Sequence, residues 1–200
     1  MDIFVQIYTM LNIILFGKPG SGKGTQAEFI KEKYELVHIS TGDLFRQNIK
    51  NQTKLGKLAQ KYMNNGDLVP DKVTIGMLKA EVESNINANG FLFDGFPRTV
   101  DQAVSLDKFL DKKNLTIDLT IAIDVKEEIL IERILNRGLT SGRKDDQDKI
   151  KIKNRFDEYN SKTSLLEDYY KNQNKYKIID GYGNIEEITK RLYNQIDQFI

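Results

Sequence analysis

The sequence predicts an α/β fold, a parallel sheet with helices on both faces. Three observations lead there. A largely apolar run, Leu11-Asn12-Ile13-Ile14-Leu15-Phe16, is followed at once by Gly17-Lys18-Pro19-Gly20-Ser21-Gly22-Lys23-Gly24-Thr25. Four more short runs of strand character recur along the chain, at 37–40, 91–94, 119–124 and 176–179, with segments of helical pattern between them. Short apolar runs without alternation are the mark of strands buried on both faces, which parallel sheets require.

The first run and its glycines set the functional expectation. Glycines permit a tight turn whose N–H groups can wrap a phosphate, and Lys23 adds a point charge. Residues 26–34 read as a helix whose N-terminus faces the same spot. Four residues separate Gly17 from Gly22, and the lysine follows, which is the spacing of a phosphate-binding loop. Gly24 stands where that pattern expects Ser or Thr, and Thr25 comes next.

The remaining elements follow in order. A second strand covers 37–40; it contains the single histidine, His38, which reads as a satisfied core residue. Thr41-Gly42-Asp43 reads as a turn capping a helix that carries Arg46. Two helical segments, near 54–64 and 71–87, flank the turn Asn65-Gly66-Asp67-Leu68-Val69-Pro70 and interrupt the strand–helix alternation as an inserted substrate lobe would. The third strand, 91–94, ends in Asp94, an acid placed to sit in the second shell of Mg²⁺. A helix over 100–110, a strand over 119–124 and a helix over 127–136 come next, the last with Arg133 and Arg137 on one face. Residues 138–146 are polar and aperiodic, so a mobile surface loop is expected there. A long helical stretch carrying Arg155 begins near Gln147. After the strand at 176–179, Asn184 and Glu187 form a capping-box start for a helix whose Ile185, Ile188, Leu192, Ile196 and Phe199 share one face.

Composition narrows the function. A chain of 200 residues suits one domain with small insertions. The net charge of +1 points to neither nucleic acid nor a membrane surface as partner. There is no cysteine, hence no disulfide framework, no cysteine zinc site and no thiol catalysis. Of the 30 basic residues only seven are arginine: Arg46, Arg98, Arg133, Arg137, Arg143, Arg155 and Arg191. A chain that defaults to lysine keeps arginine where a planar, bidentate fork is needed, as at phosphate oxygens. Residues 1–9, before Met10, are too short to span a bilayer and lack a charged start, so they read as a dispensable extension of a single domain over 10–200.

Taken together, the motif Gly17–Thr25, Ser40-Thr41-Gly42-Asp43 with Arg46, Asp94-Gly95-Phe96-Pro97-Arg98-Thr99 with Gln102, and the span Arg133–Arg143 resemble the nucleoside monophosphate kinases, with adenylate kinases of the short-lid type nearest. That family has glycine at the Gly24 position with threonine next. The resemblance implies a phosphate-loop fold: a five-stranded parallel sheet with helices on both faces, a helical monophosphate-binding lobe at about 40–69 and a short lid at about 136–146. It implies ATP at Gly20, Ser21, Gly22, Lys23, Gly24, Thr25, Arg133, Arg137 and Gly183. It implies AMP at Thr41, Arg46, Asp67, Leu68, Val69, Gly95, Phe96, Pro97, Arg98, Gln102, Arg143 and Arg155, with a cis Phe96–Pro97 bond. Lys23, Arg98, Arg137, Arg143 and Arg155 would surround the transferred group. Mg²⁺ would arrive with ATP rather than on protein ligands, Asp94 lying in its second shell, and a lid without cysteines would hold no structural zinc. The expected ligands are ATP, AMP and ADP, with neither nucleic acid nor membrane as partner, and the expected state a cytoplasmic monomer. A phosphate nucleophile is already ionised near neutral pH, so no strong general base is required and catalysis rests on positioning and charge stabilisation. Two other readings stand beside this one: a UMP/CMP kinase of the same family, and a non-catalytic module that senses AMP and ATP. Thr41, Thr99 and Gln102, whose amide can donate to and accept from an adenine edge, favour AMP over the pyrimidines.

Overall fold

The computed structural model describes residues 10–200; the proposed extension, 1–9, lies outside the described residues. The strands are β1 (Leu11–Phe16), β2 (Val37–Ser40), β3 (Gly90–Asp94), β4 (Leu119–Asp124) and β5 (Tyr176–Asp180). All pair in parallel in the order β2-β3-β1-β4-β5. Helices α1 (Lys23–Tyr34), α2 (Thr41–Lys50), α3 (Lys54–Met63), α4 (Asp71–Ser84), α5 (Val100–Asp111), α6 (Glu127–Thr140), α7 (Lys149–Glu158), α8 (Leu166–Lys171) and α9 (Ile185–Asp197) surround the sheet. A 3₁₀ turn, Lys144–Asp146, precedes α7, and a π-turn, Tyr159–Thr163, joins α7 to α8.

The period of two in β1 divides the core. Ile13 and Leu15 point to one face and pack with Ala27 and Ile30 of α1, Leu130 and Ile134 of α6 and Leu192 and Ile196 of α9. Ile14 and Phe16 point to the other and pack with Leu78 of α4, Leu106 of α5 and Leu166 and Tyr170 near α8. Both faces of the central strands are covered, so β1, β3 and β4 carry largely apolar residues without alternation. A small separate core of Phe45, Ala59 and Val69 holds the α2–α3 hairpin and the turn after it.

Register brings the carboxyl ends of the strands level. Leu15 and Ser40 both lie opposite Asp94, and Asp124 lies opposite Asp180. The loops leaving β1, β2 and β3 therefore open onto one edge, where ligands of open α/β sheets gather.

Several boundaries differ from the sequence expectation, each for a local reason. Helix α1 starts at Lys23 rather than Gln26, because Gly22 at φ 95° turns the chain straight into the helix. Thr41 is the first residue of α2 rather than part of a turn; Ser40 is the cap and accepts from the Asp43 N–H. Helix α6 continues through Gly138 to Thr140, and the expected mobile loop at 138–146 shrinks accordingly. Gly138 earns its place by packing: a Cβ there would lie 2.9 Å from the Asp146 carbonyl oxygen. The end of that segment is fixed too, since Asp146 is fully buried. The Phe96–Pro97 bond is cis.

The cap of α9 forms as its residues suggest. Asn184 Oδ1 accepts from the Glu187 N–H, and Glu187 Oε2 accepts from the Asn184 N–H, each at 2.9 Å. Asn184→Ala is expected to cost about 1 kcal/mol, read as a Tm lowered by roughly 2–4 °C. An unchanged Tm would show that this cap contributes nothing to the fold.

Candidate functional site

The phosphate loop is shaped by backbone geometry. Gly20 has φ 84°, and a Cβ there would lie 2.9 Å from the Leu130 carbonyl oxygen, so side-chain-bearing residues are excluded twice over. No side chain caps the N-terminus of α1, so its first N–H groups stay available to a ligand. Lys23 folds over the loop: its Nζ donates to the carbonyls of Gly17 at 2.7 Å and Lys18 at 3.2 Å. Burial pushes the lysine down to about 8, opposed by Asp94 and helped by Arg98, Arg155 and Arg137. An anion at the loop would relieve that pressure.

Asp94 stands at the tip of β3, nearly buried. Burial alone would raise its carboxyl, but His38, Lys23 and Arg98 outweigh that and hold it below the usual range, ionised. His38 is no core histidine satisfied among apolar neighbours. Its Nδ1 lies 3.3 Å from Glu28 Oε1 and its Nε2 3.6 Å from Asp94 Oδ2, the latter too long for a hydrogen bond but close enough for charge pairing. It lines the crevice beside Asp94. The apolar neighbours Val37 and Ile39 belong to the opposite side of β2, by the alternation that any strand imposes.

The arginines arrive from three helices and two loops, and acids hold most of them. Arg137 on α6 grips the buried Asp146 with both arms, Nε at 2.6 Å from Oδ2 and Nη2 at 3.0 Å from Oδ1. Arg155 on α7 donates to the same carboxylate at 2.7 Å and reaches Asp145 at 3.0 Å. Burial would raise Asp146, yet these two arginines keep it below the usual carboxylate range. Arg46 on α2 pairs with Asp43, whose carboxylate also lies 3.7 Å from Arg143. Arg98 donates through Nε to the Gly95 carbonyl at 2.8 Å, and its N–H to Gln102 Oε1 at 2.7 Å. Its side chain opens onto the crevice but is surrounded there by protein groups. Burial and then the charge of Arg155 lower its proton affinity; Asp94 opposes them.

These groups line one crevice of about 600 Å³, within the usual range for small-molecule sites. Gly20, Gly22, Lys23, Gly24, Thr25, Arg133 and Arg137 line its phosphate-loop side. A second, smaller compartment adjoins it, lined by Thr41, Asp67, Val69 and Gln102. Arg46, Leu68, Gly95, Arg98 and Arg155 line both. Pro97 and Arg143 face the larger compartment.

Three expected site residues do not reach these walls. Ser21 is buried and gives the loop its shape through a backbone bond from its N–H to Lys18. Phe96 is fully buried among Phe91, Phe93 and Ala103, so it anchors the turn that carries Arg98. Gly183 sits in the β5–α9 loop, where Arg133 reaches the Gly181 carbonyl at 3.5 Å instead. Gln102 lines the smaller compartment with its amide partly committed, since Nε2 donates to Asp71 at 2.6 Å. One N–H and one lone pair of that amide remain.

Sequence reasoning missed the acids. Asp43, Asp145 and Asp146 were visible only as turn and loop residues, although converging arginines demand counter-charges somewhere.

A family model for adenylate kinase matches residues 15–175. The adenylate kinase of Flavobacterium psychrophilum is 61% identical over 188 residues, covering 94% of this chain and 99% of the relative. That of Flavobacterium johnsoniae is 58% identical with the same coverage of each. That of Parabacteroides distasonis is 46% identical, covering 94% of this chain and 98% of its own.

The His38 contacts carry a pH signature. Burial opposes its protonation, but Asp94 and Glu28 prevail and its pKa in the fold is raised above 6.5. The stabilisation is therefore complete below the unfolded pKa of about 6.5 and fades as pH rises through the folded one. His38→Gln should lower unfolding free energy more at pH 6 than at pH 9 in denaturant titrations. A deficit independent of pH would mean that the imidazolium does not pair with these carboxylates.

Proposed function

The chain belongs to the adenylate kinase family, and on that premise we propose how its crevice divides the two nucleotides. The reaction is the reversible transfer of a phosphoryl group from ATP to AMP, giving two ADP. Adenylate kinases use Mg-ATP.

ATP occupies the larger compartment, its phosphates on the loop Gly20–Thr25 with Lys23, and its adenine end between Arg133 and the loop holding Gly183. AMP enters from the other side, its base in the smaller compartment by Thr41, Val69 and Gln102, its phosphate against Arg46 and Arg98. The single observation that carries this reading is the shared wall: Arg98 and Arg155 line both compartments, so phosphates from either side meet between them. In-line transfer needs that meeting of donor and acceptor between cations. Arg137 and Arg143 complete the enclosure. The part-committed amide of Gln102 supports an adenine partner. Arg98 N–H fixes which end is oxygen, so the remaining donor and acceptor stand in a set order.

Asp94 fits Mg²⁺ carried on ATP phosphates. Its ionised carboxylate sits at the strand tip facing Lys23, suited to accept from a metal-bound water. When bound, the ion neutralises charge on the phosphates. Lys23 and the arginines orient the phosphates and stabilise the transferring group. Closure keeps water out, so that AMP rather than water is the acceptor; adenylate kinase's lid is a named example of this principle. We assign the lobe to 40–69, containing α2 and α3, and the lid to 136–146, the end of α6 and the 3₁₀ turn. A cytoplasmic monomer is part of the proposal. No helix among the described residues is long and apolar enough to cross a membrane.

Arg143 tests the assignment. It lies on the crevice wall, half-buried and only loosely paired at 3.7 Å from Asp43. Arg143→Ala should slow ADP formation from ATP and AMP by about a hundredfold or more. Arg143→Lys keeps the charge but loses the fork, and should still cost at least about tenfold. Near-normal turnover in both variants would remove Arg143 from the transfer site.

A further inference from the structure

Thr163 belongs to none of the motifs above, yet it touches the centre of the site. It closes the π-turn Tyr159–Thr163, is 7% exposed, and donates through Oγ1 to the Arg98 carbonyl at 3.0 Å across 65 residues of sequence. Arg98 is thereby held at three points. Its N–H is taken by Gln102 of α5, its Nε by the Gly95 carbonyl, and its C=O by Thr163.

The π-turn is what presents the hydroxyl. The Ser164 N–H bonds to the Tyr159 carbonyl at 2.9 Å, five residues back, where an α-helix would use Asn160. The displaced Asn160 carbonyl is satisfied by Ser164 Oγ at 2.6 Å, so the wide turn leaves no orphan there. One extra residue in a turn rotates everything beyond it by roughly 100° relative to a continuous helix. Such turns recur at functional sites.

The same helix carries Arg155, the strongest like-charged neighbour of Arg98. Two guanidinium groups facing one crevice repel; Arg155 is fixed by Asp145 and Asp146, and the placement of Arg98 against it rests on the three bonds just named. Thr163 ties the Arg98 backbone to the element that bears Arg155. We propose that Thr163 is a positioning residue for phosphoryl transfer, its hydroxyl setting Arg98 against Arg155. This rests on the assignment of Arg98 to the phosphates.

The test compares Thr163→Val, Thr163→Ala and Thr163→Ser with Arg98→Ala in the full chain. AMP and ATP are varied separately, and Tm is recorded for each variant so that assays run on folded protein. Thr163→Val should lower kcat/KM for AMP by about tenfold or more and leave KM for ATP within about twofold. Thr163→Ser should recover to within about threefold of wild type, because it keeps the donor. If Thr163→Val unfolds at assay temperature, Thr163→Ala against Thr163→Ser reads the hydroxyl instead. Arg98→Ala should lose at least about a hundredfold. A dead Arg98→Ala beside Thr163 variants of wild-type kinetics overturns the Thr163 inference and leaves the site assignment standing. Wild-type activity in Arg98→Ala overturns both. Equal impairment in the serine and valine variants also overturns the inference, since the hydroxyl would then not be the cause.

Discussion

Like-charge repulsion at the carboxyl edge of the sheet is the constraint on which the rest of this structure turns. Lys23, Arg46, Arg98, Arg137, Arg143 and Arg155 all line one crevice. Burial and mutual repulsion push the lysine down to about 8 and lower the proton affinity of Arg98 and Arg143. Nothing in folding alone favours such an arrangement; it costs stability, and strand ends, caps and helix turns are needed to hold it. Sites that trade stability in this way are commonly those where a ligand supplies the missing charge.

Carboxylates stand in for that ligand in part. Asp146 joins Arg137 to Arg155, so one buried acid links α6 to α7 across the 3₁₀ turn. Asp43 links Arg46 to Arg143, joining the α2–α3 hairpin to the loop beyond α6. Asn154 of α7 donates to the Asn65 carbonyl at 2.8 Å and to Asp67 at 3.0 Å, a further tie between α7 and the turn after α3. The Asp146 tie is buried, while the Asp43 and Asn154 ties join the α2–α3 region to the segments after α6. The same polar contacts that balance the cations thus also set how far apart the two sides stand.

Much of this was legible in the sequence, and unevenly. Glycine spacing and Lys23 declared the phosphate loop, because few residue types tolerate that backbone. Apolar runs declared β1, β3 and β4, since strands covered on both faces leave little choice of residue, while β2 and the largely exposed edge strand β5 showed as shorter, mixed runs. Scarce arginines pointed to the site, because a fork is chemically hard to replace. What stayed hidden was three-dimensional. Asp146 reads as an exposed loop residue until the fold places two arginines around it. Gly138 looks like a helix end, and only its packing against the 3₁₀ turn explains why α6 runs on. His38 sits among apolar neighbours in sequence but on the crevice side in space. Thr163 carries no motif, and its contact depends on a π-turn that periodicity cannot announce.

Thermal unfolding with inorganic tripolyphosphate tests most directly whether the crevice is a cation cluster that binds phosphates. Sodium chloride at matched ionic strength is the control, since screening alone relieves some repulsion. At about a hundredfold excess over its dissociation constant a bound anion adds roughly 2.7 kcal/mol, or some 5–10 °C of Tm for a chain of this size. The account predicts a rise of that order with tripolyphosphate, well beyond the salt control. Equal shifts in the two solutions would contradict it.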